Sequence, residues 1–337
     1  MRLGKTPHAR ADVDPQKGKC QGGLRIHELF ITFDVEDFVN IRSTEALCSI
    51  LELLKKHHVK ALFFITGHVA EKLESSNKVV DLLEDHEIGY HSSSHSVRPN
   101  IIEYTDLESY QDAYEISLRR ETSHINPSSG TIDGEGGIKT LRDVFSKKKI
   151  EAYRAPGFSW SPPHLEALKT LGFKYDFSAK FSKLPVCYKE ITFYPFPILI
   201  DWKDSVNYYK DLLAFTLSRQ ITVVDFHPDR FVNQSYWDSF FPDKAPQIRL
   251  GQTKRLLTKL ESLLNTIRVM QKVKLLEAVS KPTASGVPLD TANVDTEKVQ
   301  EQIEAWSITR CSYRPRFLRS HLLKFFGQPQ IKLVRSK

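Results

Sequence analysis

Ile88–Asn100 reads I-G-Y-H-S-S-S-H-S-V-R-P-N. His91 and His95 stand four residues apart, after a glycine and among serines. On a helical turn that spacing sets both imidazoles on one face, about 6 Å apart, where they can share a metal ion. Neutral imidazole is the commonest metal ligand near pH 7. In a chain with 12 histidines such a pair also arises by chance on a solvated turn, so its neighbours decide the reading. Upstream lies a carboxylate cluster, Asp34, Glu36 and Asp37. Downstream come Arg154 with Pro156, then His227 with Pro228, both after short apolar runs.

Those apolar runs are the skeleton. Glu28–Asp34 (E-L-F-I-T-F-D) has the aromatic and β-branched residues of a strand and ends in an acid. Val59–Thr66 and Ile221–Phe226 are nearly continuous apolar strands, as expected where both faces are buried. Shorter strands are read at Glu87–His91, Ile150–Arg154, Tyr175–Ser178, Ile191–Phe196, Ile198–Asp201 and Lys274–Leu276. Helical patterns separate them: Ser43–His58, with Ser43 or Thr44 as N-cap, then Val69–His86, Leu107–Ser123 and Ile138–Lys147. Pro162–Leu171 is opened by Ser161 and closed by Gly172; Asn207–Arg219 and Lys254–Met270 complete the set. No Asn-Gly hairpin signal appears, and strands alternate with helices, so a parallel sheet is expected. The polar residues singled out sit at C-terminal strand ends, the face that carries active sites in (β/α) barrels. Asn126–Gly137 is a turn-rich insertion; without a preceding strand and a following Lys-Ser/Thr it is not read as a phosphate loop.

Three segments follow: a polar arm over 1–27, a barrel over 28–280, and a linker with a basic tail over 281–337. The net charge of +7 is concentrated in the tail, where Arg310, Arg314, Arg316, Arg319, Lys324, Lys332, Arg335 and Lys337 meet no acid after Ala305. The body is therefore near neutral, and no nucleic acid is expected as a partner. Arg316–Phe326 is basic and apolar, suited to an anionic membrane surface, to a partner, or to packing back on the barrel. No apolar run approaches the roughly 18–20 residues of a membrane helix. The N-terminus shows no apolar signal-peptide region, and Cys20, Cys48, Cys187 and Cys311 are widely spaced. A cytoplasmic protein, or one peripheral on the inner membrane face, with free thiols is expected.

Two histidines and a carboxylate leave metal positions open for water and substrate. Such a metal is a Lewis acid that lowers the pKa of bound water. Asp34 and Glu36 share one side of a strand, and Asp37 joins them if the chain turns there. One carboxylate can bind metal while another acts as general base, with His227 protonating the leaving group. Arg154 can hold a carboxylate ionised, and a backbone N–H after Pro156 can help stabilise an oxyanion. This set suits hydrolysis of an amide or ester. Taken singly, each group also has an ordinary structural use, as strand-end acid, ion pair or core histidine.

Together the motifs resemble the polysaccharide deacetylase family, the carbohydrate esterases with a NodB-homology domain, over roughly residues 28–278. I-T-F-D-V-E-D (31–37) resembles the first family motif, H-S-S-S-H (91–95) the second, Y-R-A-P-G-F (153–158) the third and D-F-H-P (225–228) the last. The D-V-E-D form is similar to a subgroup found near exopolysaccharide gene clusters. The resemblance implies a distorted (β/α)7 barrel holding a divalent metal, zinc or alternatively cobalt, nickel or iron. It implies Asp34 as base, His91 and His95 as metal ligands, Arg154 as orienter of the base and His227 as acid. Val35 stands where the family has its metal-binding Asp, so Glu36 or Asp37 is the third ligand. Gly157 takes the usual aromatic position after Pro156, with Phe158 next, in the substrate-binding turn. The implied reaction is removal of N-acetyl or O-acetyl groups from a polysaccharide or a lipid-linked sugar. Alternatives are a deformylase or cyclic-amide hydrolase on the same fold, or a non-catalytic glycan-binding protein.

Overall fold

The computed structural model describes residues 27–36, 41–93, 110–125, 132–158, 162–179, 185–195, 197–201, 210, 221–232, 252–270, 273–279 and 287–288. Strand β1 (His27–Val35) is central. It pairs in parallel with β11 (Ile221–Phe226), β2 (Leu62–Ile65) and, at its start, β12 (Val273–Leu275). The parallel run continues from β2 through β3 (Glu87–Tyr90), β6 (Ala152–Tyr153) and β7 (Tyr175–Ala179) to β9 (Ile191–Pro195). On the other side β10 (Ile198–Leu199) lies against β11. This is the curled parallel sheet of a distorted (β/α)7 barrel, as the alternation of strands and helices predicts.

The period-2 alternation along β1 sorts its side chains to two faces. Leu29, Ile31, Phe33 and Val35 join the core beneath the helices. Phe30 turns inward to a second core with Leu62, Phe64, Phe177, Tyr194, Ile221 and Val223. Phe177 and Tyr194 stack there at 4.5 Å, and Phe30 meets both edge-on. Going up the barrel on the same inward face, Phe30 is followed by Thr32 and Asp34, and Val223 by Asp225. The interior is thus apolar at its base and polar at the C-terminal rim. A buried polar group is costly unless paired, so the rim is where hydrogen bonding must be dense.

The helices bury one stripe each. In α1 (Ile41–Lys56) Leu47, Ile50, Leu51 and Leu54 are buried; in the helix Gln252–Val269 the stripe is Leu256, Leu260, Leu263 and Leu264. Helix α1 starts at Ile41, so Ser43 is a buried residue of its first turn and neither it nor Thr44 is the cap. The stretch 69–86 resolves into α2 (Gly67–Leu73) and α3 (Asn77–Leu83). Thr66, at the end of β2, caps α2 by accepting a hydrogen bond from Val69 N at 3.2 Å. Helices α4 (Tyr110–Thr122), α5 (Gly137–Val144) and α6 (Pro162–Thr170) follow, and Gln252–Val269 is α7. Gly172 ends α6 at φ +92°, where a side chain would be strained.

Two antiparallel pairs depart from the all-parallel expectation. Strand β5 (Ile132–Asp133) lies within the turn-rich stretch 126–137 and pairs with β4 (His124–Ile125), which precedes that stretch. Strand β8 (Val186–Tyr188) joins β9 through a two-residue turn, Lys189–Glu190, with φ of 47° and 68°. Positive φ at both positions belongs to a type I′ hairpin, which ordinarily selects Asn-Gly. Here Lys189 and Glu190 occupy the turn and make exposed ion pairs, Lys189 to Glu166 at 3.0 Å and Glu190 to Lys169 at 2.7 Å. Val287–Pro288 (β13), inside the stretch read as linker, runs parallel to β8.

Candidate active site

Adjacent strands bring their C-terminal ends to one rim. From β10 comes Asp201, from β11 Asp225 and His227, from β1 Asp34 and Glu36, from β3 His91 and from β6 Arg154. Gly89 allows β3 to lie close to its neighbours, because a Cβ there would stand 2.6 Å from the Phe64 ring. The described site is therefore drawn from positions far apart in sequence.

Arg154 is its hinge. The side chain is 0% exposed, and one terminal nitrogen donates to Asp34 Oδ1 and to Asp225 Oδ1, each at 2.6 Å. The other donates to Thr32 Oγ1 at 3.0 Å. Thr32 in turn lies 2.8 Å from both Val224 O and Asp225 Oδ1. Below, the guanidinium carbon sits 4.3 Å from the centre of the Phe64 ring, a cation–π contact in a water-poor setting. Burial disfavours the guanidinium charge, but Asp225 and Asp34 outweigh that cost, so it stays a cation. Asp225 is pushed up to about 7 by burial, against the pull of Arg154.

The His91 ring is fixed from behind. Its Nδ1 lies 2.8 Å from Arg154 O, and a carbonyl only accepts, so Nδ1 carries the proton. Nε2 then faces Glu36 Oε2 at 3.0 Å and Asp34 Oδ2 at 3.9 Å. A bare ring nitrogen and a carboxylate oxygen repel at that distance unless a proton or a cation lies between them. An outward Nε2 backed by Nδ1–H to a carbonyl is the usual orientation of a ligating histidine. Asp34, Glu36 and His91 offer ligand atoms within 4.8 Å of one another, a set that fits a divalent ion. Asp34, Asp225 and His227 form a second such group, but the Arg154 cation already bridges its two acids, which disfavours another cation there.

His227 approaches from the opposite side. Its backbone N–H and its Nδ1 both lie 3.0 Å from Asp201 Oδ2. Nε2 points to the centre, 3.9 Å from Asp34 Oδ2 and 4.0 Å from Glu36 Oε1. Burial favours the neutral ring, but Asp201, Glu36 and Asp225 together raise its pKa well above the ordinary histidine value. The surrounding carboxylates thus favour the protonated ring. Asp229, next in the 3-10 turn Pro228–Phe231, is pushed up to about 7 by burial and then by Glu36.

Of the site residues read from sequence, Asp34, Glu36, His91, Arg154 and His227 converge. Pro156, Gly157 and Phe158 form a 3-10 turn one residue beyond Arg154. Phe158 adopts φ +58°, unusual for a bulky residue, and its ring centre lies 5.9 Å from the Arg154 guanidinium. Its N–H is used by Ala155 O, at 2.9 Å, and Ala155 N–H by Ser178 Oγ, at 2.7 Å. His95 and Asp37 lie outside the described residues, as does the basic tail. Sequence reading did not assign roles to Thr32, Asp201, Asp225 or Asp229. Period-2 spacing points to two of them, since Thr32 precedes Asp34 and Asp225 precedes His227 by two residues on one strand face.

Comparison with known structures adds the fold-level context. A 4-alpha-glucanotransferase from Thermococcus litoralis shares the fold at TM-score 0.51 and 16% identity, over 83% of this chain and 45% of its own. A provisionally named polysaccharide deacetylase from Mycobacterium smegmatis aligns at TM-score 0.49 and 16% identity, over 88% of this chain and 96% of its own. A protein described as a CE4 family pseudoenzyme, from Bacillus anthracis, aligns at TM-score 0.43 and 18% identity, over 75% and 65%. No curated protein matches the sequence. The family model of polysaccharide deacetylases matches residues 22–175, the stretch that contributes Asp34, Glu36, His91 and Arg154. Residues 22–175 thus resemble a polysaccharide deacetylase domain, and a later strand adds His227 to the same rim.

Proposed function

We propose that the protein is a metal-dependent deacetylase that hydrolyses the acetyl amide or ester of an acetylated sugar, polymeric or lipid-linked. The observation that carries this reading is the position of Asp34. Arg154 holds its Oδ1, and its Oδ2 is turned to the space between His91 Nε2 and His227 Nε2, 3.9 Å from each. A carboxylate so oriented can take the proton of an attacking water. The imidazolium of His227 can give a proton to the departing amine, and Asp201 keeps the ring aimed while that proton leaves.

Glu36 and His91 would hold the divalent ion, zinc or a similar metal, with His95 as the further ligand expected from sequence and Glu36 taking the place for which Asp37 was the alternative. When bound, that ion supplies Lewis acidity to the acyl carbonyl and to the attacking water. Phe158, beside Arg154, gives the site an apolar wall on which a sugar face can rest.

The test is acetate release from an N-acetylated oligosaccharide by the metal-loaded protein and by Asp34→Asn. Loss of about 10²–10⁴-fold in rate, compared at equal zinc occupancy, is expected for removal of a general base. An Asp34→Asn protein as active as the wild type would remove Asp34 from this role. A wild-type protein that binds metal and glycan but releases no acetate would favour a non-catalytic glycan-binding role.

A further inference from the structure

Away from the rim, His68 and Glu71 on α2 meet His124 on β4. Their ligand atoms all lie within 4.8 Å of one another. Glu71 reaches both histidines: Oε2 is 3.4 Å from His68 Nδ1 and Oε1 is 3.5 Å from His124 Nδ1. These separations are long for hydrogen bonds, whose N···O distance centres near about 2.9 Å. They match the edge of a tetrahedron of ligands around zinc, which is about 3.3 Å for bonds near 2.0–2.1 Å.

A second observation concerns His68 itself: its Nδ1, the ring nitrogen turned to the cluster, has only the long approach to Glu71, and its side chain is 16% exposed. Burial lowers the pKa of this ring, the main influence on it, so it is neutral and able to ligate near pH 7. The two rings stand nearly perpendicular, 5.6 Å between centres, and so do not stack. Lys72 is the nearby opposing charge, and its effect on His68 is smaller than that of Glu71.

We propose that His68, Glu71 and His124 form a second divalent-metal site, suited to zinc, that clamps helix α2 to the β4–β5 pair. The side chains are 16%, 41% and 33% exposed, so a fourth position is open to water. The location gives the clamp a purpose. The first turn of α2 is bound to the segment after β3, through Gly67 N to Ser92 O at 3.0 Å and His68 N to Ser93 O at 2.9 Å. A Cβ on Gly137 would stand 2.7 Å from Gly67 Cα and 2.8 Å from Ser93 Cα, so α5 closes on the same point. A metal on His68 thus braces the chain that follows His91.

The test uses the full chain stripped with a chelator and titrated with Zn2+ by calorimetry, in an E36Q/H91A background that empties the rim site. One equivalent of zinc taken up there, with affinity reduced tenfold or more by adding Glu71→Gln or His124→Ala, is the expected result. Glu71→Gln is a conservative change at a half-exposed position, so its fold is retained. Failure of E36Q/H91A to bind zinc would overturn the proposal. So would uptake that Glu71→Gln and His124→Ala both leave unchanged. These outcomes are independent of acetate release, so an inactive protein that still binds this zinc would sink only the deacetylase reading.

Discussion

Replacing Arg154 with methionine removes a cation from between two buried carboxylates and leaves a side chain of similar reach over Phe64. The native guanidinium is 0% exposed and lies 2.6 Å from Asp34 Oδ1 and Asp225 Oδ1. Breaking a buried pair by deleting one partner costs about 3–5 kcal/mol, because the charge left behind has been taken out of water for nothing. That is a large part of the roughly 5–15 kcal/mol that holds a typical domain together. The loss depends on pH in a defined direction. Asp225 is already pushed up to about 7 with Arg154 in place, and without it the native pKa rises further. The native variant then binds a proton that the unfolded chain, with an ordinary carboxyl, does not hold. Its stability therefore rises as pH falls, and the gap to wild type narrows from pH 8 to pH 5. Urea unfolding of the chelator-treated proteins at both pH values, followed by circular dichroism, measures the gap. Equal destabilisation at pH 5 and pH 8 would refute the electrostatic account and leave packing against Phe64 as the role of the residue.

The remaining predictions concern the frame around the site. Gly89→Ala forces a Cβ to 2.6 Å from the Phe64 ring and 3.2 Å from Ala152 O, so a loss of about 1–3 kcal/mol is expected in thermal unfolding. Because Phe64 lies under Arg154, the acetate release proposed above should fall as well. His86 accepts a hydrogen bond from Ala61 N at 3.2 Å and is held by burial at a pKa of about 4. Its neutral form stabilises the native state above pH 6.5, and that contribution, about 3 kcal/mol, is lost as pH falls from 6.5 through 4. His86→Gln should flatten the acid limb of a stability–pH curve over that window; an unchanged slope would exclude His86 as its source.

The parts of the site that were legible in the sequence share one property: each ends an apolar run. Asp34, Arg154 and His227 do so, and in parallel strands such ends meet on one rim whatever the strand order. Asp201 also ends one, in P-I-L-I-D, yet nothing local marks it as the partner of His227 Nδ1, because that pairing depends on β10 lying beside β11. The β8–β9 hairpin was hidden for another reason. Turn chemistry predicts Asn or Gly at positive φ, and Lys189–Glu190 instead occupies the turn, pairing with Glu166 and Lys169 from α6, which only the folded chain brings near. The start of α1 was misplaced because Ser43 reads as a cap by residue type, whereas the helix runs two residues further back and buries it.

Arg154 touches both the proposed base and the proposed metal ligand from a single residue. Its side chain holds Asp34, and its carbonyl oxygen holds the His91 ring. Asp34 stands on β1 and His91 follows β3, so two groups from different strands are related to each other through contacts with one residue of a third. It also ties the two functions unequally. A substitution at this position discards the guanidinium but leaves the carbonyl, so the His91 ring can keep its aim after Asp34 has lost its partner.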